Sequence, residues 1–169
     1  MRRTHVDAGR FRRAAATLAV VLALAGCWDA AGAAEAELPR DVLDELGAAA
    51  RTCIASGATT FAIEPMAVIR RDLNGDGRDD YIIDLHQATC EPGPGLSTTA
   101  GSILIILVAR PRGHFVRVFR GPVRGYEIED GNGPLTIRFQ LHGAYCGKVG
   151  NDRCVKVRHI TETPFRFVD

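Results

Sequence analysis

Residues 72–80 read Asp-Leu-Asn-Gly-Asp-Gly-Arg-Asp-Asp, with side-chain oxygens at the first, third, fifth and ninth places. No other stretch restricts the local fold so tightly. A chain that wraps round one hard cation turns oxygen inward from alternate residues. It also lends a main-chain carbonyl at the seventh place and needs glycine at the sixth for the sharp bend. Gly77 fills the sixth place and Arg78 the seventh. The candidate ligands are therefore the side chains of Asp72, Asn74, Asp76 and Asp80 with the Arg78 carbonyl. Calcium suits such a set better than magnesium, which holds an octahedral shell and keeps its waters.

A plain turn competes with the metal loop. Asn74-Gly75 and Asp76-Gly77 are each two-residue hairpin signals, because Asn, Asp and Gly tolerate positive φ. A turn accounts for the glycines but not for oxygens at alternate places, nor for carboxylates crowded where like charges repel. Arg70, Arg71 and Arg78 are at hand to offset part of that repulsion. The twelfth place is Ile83, so the segment is not a complete EF-hand. A bidentate ligand must come from Asp80 or Asp84, or the site is weak, with Kd of about 10⁻⁴ to 10⁻³ M. Tyr81-Ile82-Ile83-Asp84-Leu85 is aromatic and β-branched and reads as a strand, where an EF-hand would begin a helix.

An Asp-rich loop feeding straight into a strand resembles the calcium loops of FG-GAP and VCBS repeats, the integrin-α propeller type. The resemblance covers this short segment and implies its loop-strand geometry. Propellers stack several such blades, whereas one such loop occurs here, so a full propeller is excluded. With its downstream cysteines and the His142-Gly143 segment, the chain is also similar to small exported bacterial proteins, which implies no activity.

The N-terminus predicts export. Arg2, Arg3, Arg10, Arg12 and Arg13 precede a run of small apolar residues over 14–25, with Thr17 its one polar member, too short to span roughly 30 Å of hydrocarbon. Alanines after Arg12-Arg13 point to the general secretion route rather than the twin-arginine one. Residues 1–26 then form the signal, residues 27–37 a tether or its remainder, and residues 38–169 a single domain. Leu24-Ala25-Gly26-Cys27 resembles the lipobox of bacterial lipoproteins, which implies cleavage before Cys27 and acylation of its thiol. Cleavage after residues 31–34 is the alternative, leaving Glu35 or a neighbour first.

Apart from Cys27, four cysteines remain: Cys53, Cys90, Cys146 and Cys154. An even set in an exported chain reads as disulfides. Cys146 and Cys154 flank a turn-rich segment and are expected to pair, which leaves Cys53 with Cys90. Zinc, with His142 and His159 assisting, competes less well because no Cys-x-x-Cys spacing occurs. Without residues 1–26 the chain carries 16 basic and 19 acidic residues, a net charge of −3, which argues against nucleic acid as a partner. No second apolar segment is long enough to span a membrane, since residues 102–109 are only strand-sized. Contact with the membrane would run through the lipid anchor alone.

Residues 39–55 carry Val42, Leu43, Leu46, Ala50 and Ile54 at three- and four-residue spacing, with Pro39 at the start and Asp41, Asp44 and Glu45 near the positive end. An amphipathic helix follows, closed by Ser56-Gly57. Short strands are expected at 66–70, 80–86, 102–109, 115–120, 126–130, 135–140, 154–160 and 164–168, with hairpin chemistry at residues 111–114 and 130–133. The apolar run 103–108 lacks alternation, as in a central strand covered on both faces. The fold expected is α+β, with an N-terminal amphipathic helix packed on a mainly antiparallel β-meander sheet.

Residues 91–101 form a Pro- and Gly-rich loop that serves either as a plain connection or as a binding loop. Possible nucleophiles and bases are Ser97, Ser102, His86, His114, His142 and His159, with Asp84 or Asp152 to orient them. No Gly-x-Ser-x-Gly elbow supports any of them. Asp84 and His86, two apart on one predicted strand face beside the loop, are the best placed. The expected function is that of a monomeric envelope protein with structural calcium that binds an envelope protein or glycan. The alternative is an envelope hydrolase; a pocket holding a histidine and a carboxylate would favour it.

Overall fold

In the computed structural model, which describes residues 37–93, 95–130 and 135–167, Pro39 leads from an extended start into helix α1 (Arg40–Ala55). The Pro39 carbonyl accepts hydrogen bonds from the N–H groups of Val42 and Leu43 at 3.0 and 3.1 Å. Val42, Leu46, Ala49 and Cys53 recur on the buried stripe. The helix ends at Ser56, after which Gly57 takes φ of 97°.

Among the described residues ten strands follow: β1 (Thr60–Ile63), β2 (Val68–Arg71), β3 (Asp80–Asp84), β4 (Ala88–Glu91), β5 (Ser97–Thr98), β6 (Gly101–Arg110), β7 (His114–Val123), β8 (Gly125–Glu129), β9 (Thr136–Leu141) and β10 (Cys154–His159). They form three antiparallel sheets. One is the ribbon β1-β4, one runs β10-β9-β8, and the largest runs β2-β3-β6-β5 with β7 also paired to β6. β7 takes one edge of β6 along its length, so β3 and β5 share the other.

The α+β meander expectation is corrected by this arrangement. Strands hold 44% of the described residues against 23% in helical turns, and α1 is the single helix of seven or more residues among them, so the fold is mostly β. Nor is the order a meander, because β3 pairs with β6 rather than with β4. Segment 85–91 leaves the large sheet through a short 3-10 turn at Leu85–Gln87 and joins β1 instead. The expected strand at 164–168 is also absent over its described part, 164–167. Phe165 and Phe167 there pack among Phe119 and Phe139 with ring centroids 5.0–6.0 Å apart, spending their apolar surface on an aromatic cluster rather than a ladder. The hairpin expected around residues 130–133 lies for the most part outside the described residues, as do the signal and Cys27.

β6 explains why the core has two sides. Its side chains alternate, with Leu104, Ile106 and Val108 in one cluster and Ile105 and Leu107 in another. The first face meets Ile137, Phe139 and Leu141 of β9. The second meets Tyr81, Ile83 and the helix residues Val42, Leu46 and Ala49. A strand buried on both faces has no polar side to alternate with, which is why the run 103–108 is apolar throughout.

Candidate functional site

Segment 72–79 closes on itself round one carboxylate. Asp72 Oδ1 accepts hydrogen bonds from the N–H groups of Gly75 and Asp76 at 2.8 and 3.3 Å, and its Oδ2 accepts from Gly77 N–H at 2.8 Å. Gly75 and Gly77 take φ of 79° and 81°, which side-chain-bearing residues rarely adopt. Asn74 Oδ1 accepts from Asp76 N–H at 3.1 Å, while its Nδ2 donates to Asp76 Oδ2 at 2.9 Å. Leu73, fully buried in the core, pins one side of the loop, and its carbonyl accepts from Leu135 N–H at 2.8 Å.

Asp80 closes the other side. Fully buried, it accepts from Leu73 N–H and from Ala109 N–H, each at 2.8 Å, and so ties the loop to β6. Burial raises its pKa above the ordinary carboxylate value; the two hydrogen bonds oppose the shift, while the charges of Asp76 and Asp72 add to it. Asp76 is shifted the other way. Its desolvation is outweighed by hydrogen bonds from Asn74 and the Arg78 N–H and by the Arg78 charge, which hold its carboxyl low.

The structure thus gathers Asp72, Asn74, Asp76, Arg78 and Asp80 into one loop. Asp84 stands apart at the far end of β3, roughly 13 Å along the strand from Asp80, where it caps the 3-10 turn by accepting from His86 N–H at 2.9 Å. Among the described residues, no three His, Cys, Asp or Glu side chains converge closely enough to form a preassembled metal cage. The oxygens nevertheless fit a hard cation in type and order. A carboxylate offers about four acceptor sites, and the N–H bonds fill three on Asp72 and two on Asp80. Arg78 fits less well. Its guanidinium lies 2.6 Å from Asp76 and 3.6 Å from Glu162, with Nε buried and lacking a partner.

A second constellation lies where β5 replaces β3 on the edge of β6. Ser97 pairs with Ser102, while β3 has turned away two residues after Asp84 pairs with Leu104, which leaves His86 beside Ser102. His86 Nδ1 lies 3.2 Å from Ser102 Oγ, and Ser97 Oγ lies 2.5 Å from it. These groups line a cavity of about 470 Å³ together with Asp84, Arg124 and Tyr126. Burial, then the Asp84 charge, pushes the Tyr126 phenol up to about 12, so it keeps its proton at neutral pH. The sequence paired Asp84 with His86 on one strand face and left Ser97 and Ser102 as separate possibilities; in the structure β3 ends at Asp84, and His86 lies in the 3-10 turn that follows. Arg124 and Tyr126 went unnoticed, because β7 runs past its expected end at residue 120 to set Val123 opposite Ser102, and this carries the start of β8 to the cavity.

His142 and His159 play local parts. His142 Nδ1 accepts from Ala144 N–H at 3.3 Å, and His159 Nδ1 lies 2.9 Å from Thr136 Oγ1.

Compared with protein families, curated proteins and solved structures, the chain shows no match.

Both expected cysteine pairs form. Cys53 joins Cys90 and Cys146 joins Cys154, each with Cα atoms 5.7 Å apart, within the range disulfides require. Two disulfides belong to an oxidising, exported environment. No described helix is long and apolar enough to cross a membrane.

Proposed function

We propose that this chain is an exported envelope protein that takes one calcium ion in the loop at residues 72–80, as a structural ion. The observation that carries the reading is the closed loop, in which Gly75 and Gly77 at φ of 79° and 81° fold the chain round the Asp72 carboxylate with oxygen-bearing side chains at alternate places. Asp72, Asn74 and Asp76, the Arg78 carbonyl and Asp80 would hold the ion in the manner of an FG-GAP-like loop. Calcium would add positive charge among three neighbouring carboxylates, of which Asp76 alone is paired with Arg78. The chain does the rest: Leu73 and Asp80 anchor the loop to the core, and Arg78 has Glu162 as its second acceptor.

Thermal unfolding with and without calcium tests this reading. At ten times Kd, calcium should add about 1.4 kcal/mol of stability. Asp76→Asn, which keeps the shape but removes the charge, is expected to abolish that dependence, with only a small loss in chelator from the solvent-screened Arg78 pair and the exposed bonds of the loop. A calcium response that survives in Asp76→Asn rules the site out.

In this reading the domain is a binding or interaction module for an envelope protein or glycan, tethered through an acylated Cys27. Intact mass of protein recovered from membranes is expected to show the diacylglyceryl adduct on Cys27. A mass matching cleavage after residues 31–34 rules the tether out and leaves the calcium reading standing.

A further inference from the structure

We propose that Ser102 is the nucleophile, and His86 the general base, of a site that hydrolyses small carboxylic esters in the cavity between β5, β6 and β8. This goes beyond the calcium reading and uses the other end of β3.

Ser102 is 5% exposed, so its neighbours rather than bulk water set the state of its hydroxyl. It has two of them, His86 Nδ1 at 3.2 Å and Ser97 Oγ at 2.5 Å. A histidine with its proton on Nε2 accepts at Nδ1, so Ser102 donates to His86 and Ser97 donates to Ser102. In that chain the Ser102 proton points at a base while a second hydroxyl stabilises the oxygen it leaves behind. A nucleophile within hydrogen-bond reach of a base, at the wall of a cavity, is the arrangement acyl transfer requires.

The surroundings extend the assignment. The Asp84 carboxylate does not touch the imidazole. It accepts from the His86 main-chain N–H at 2.9 Å, and so is a positioning residue that fixes the turn carrying the base. Arg124 and Tyr126 line the same cavity, and both are donors suited to an oxygen that becomes negative. The volume of about 470 Å³ lies in the range of small-molecule sites, about 300–1,000 Å³, so the substrate is a small ester rather than a protein segment.

The steps balance with water as the one co-reactant. Ser102 Oγ bonds to the acyl carbon as its proton passes to His86 Nδ1. The carbon–oxygen bond to the alcohol breaks, and the alcohol leaves with that proton. Water then gives a proton to His86 and adds hydroxide to the acyl carbon. The Ser102 Oγ–acyl bond breaks, the carboxylic acid departs, and Ser102 recovers its proton.

The test uses the full, disulfide-intact domain. A fluorophosphonate probe is expected to add once, with fragment-ion mass spectrometry placing it on Ser102, and 4-nitrophenyl acetate is expected to turn over. Ser102→Ala should abolish both, and His86→Gln should lower turnover by about 10²- to 10⁴-fold. Ser97→Ala should slow labelling while leaving it on Ser102. The label is read on the unaltered protein, so a variant that misfolds cannot conceal the answer. No adduct, an adduct on Ser97 or any other residue, or turnover that survives Ser102→Ala overturns the proposal.

Discussion

Asp80→Ala is expected to cost the fold roughly 2–6 kcal/mol, because it strips the acceptor from two buried N–H groups at about 1–3 kcal/mol each. Those donors are Leu73 N–H and Ala109 N–H, both 2.8 Å from the Asp80 carboxylate. A domain of this kind has about 5–15 kcal/mol in total, so the loss is a large share of its stability. Chemical denaturation read by circular dichroism checks it. Asp80→Asn keeps one carbonyl acceptor but turns an amide N–H₂ towards a donor, and should fall between the two. Calcium separates this effect from that of Asp76. The Asp80→Ala loss should persist in excess chelator, since it comes from buried hydrogen bonds within the chain, whereas Asp76→Asn there loses only exposed bonds and the Arg78 pair and should cost far less. Equal destabilisation of both variants in chelator would remove the distinction between an anchor and a ligand.

Asp80 also shows how far the sequence was legible. Its place in the alternating pattern marks it as a ligand, and nothing local says that it also accepts a bond from Ala109, 29 residues away. The run 103–108 was readable because a strand covered on both faces must be apolar at every place. Helix α1 was readable from its three- and four-residue spacing. β1, β4 and β5 were not, because they are short pieces with exposed or mixed faces that leave no periodic signal. Short joints at residues 111–114 and 130–133 suggested a meander throughout. The detour through β4 and β5 broke that order, and it is the same detour that brings Ser97 and His86 to Ser102. What is missed in the topology is therefore also what is missed in the cavity, since both depend on pairings between distant segments.

Cys53→Ala with Cys90→Ala is expected to cost roughly 3.9 kcal/mol on the chain-entropy account, against roughly 2.6 kcal/mol for the Cys146 and Cys154 pair. The difference follows from loop length, with 37 residues of separation in the first case and 8 in the second. Packing reinforces the order. Cys53 and Cys90 are buried with Ala58 in a small cluster of their own, and they join the end of α1 to β4, which sits opposite Phe61 of the ribbon. Without that bond the ribbon β1-β4 keeps four residue pairs to hold it, and a two-stranded ribbon alone is marginal in water. Hydrogen exchange should therefore rise first in β1 and β4 of the Cys53/Cys90 double variant, while β6 stays protected. Exchange that rises evenly across all three sheets, or a larger loss for the Cys146/Cys154 variant, would show that the shorter bridge, beside β9 and β10, carries the greater part of the stability.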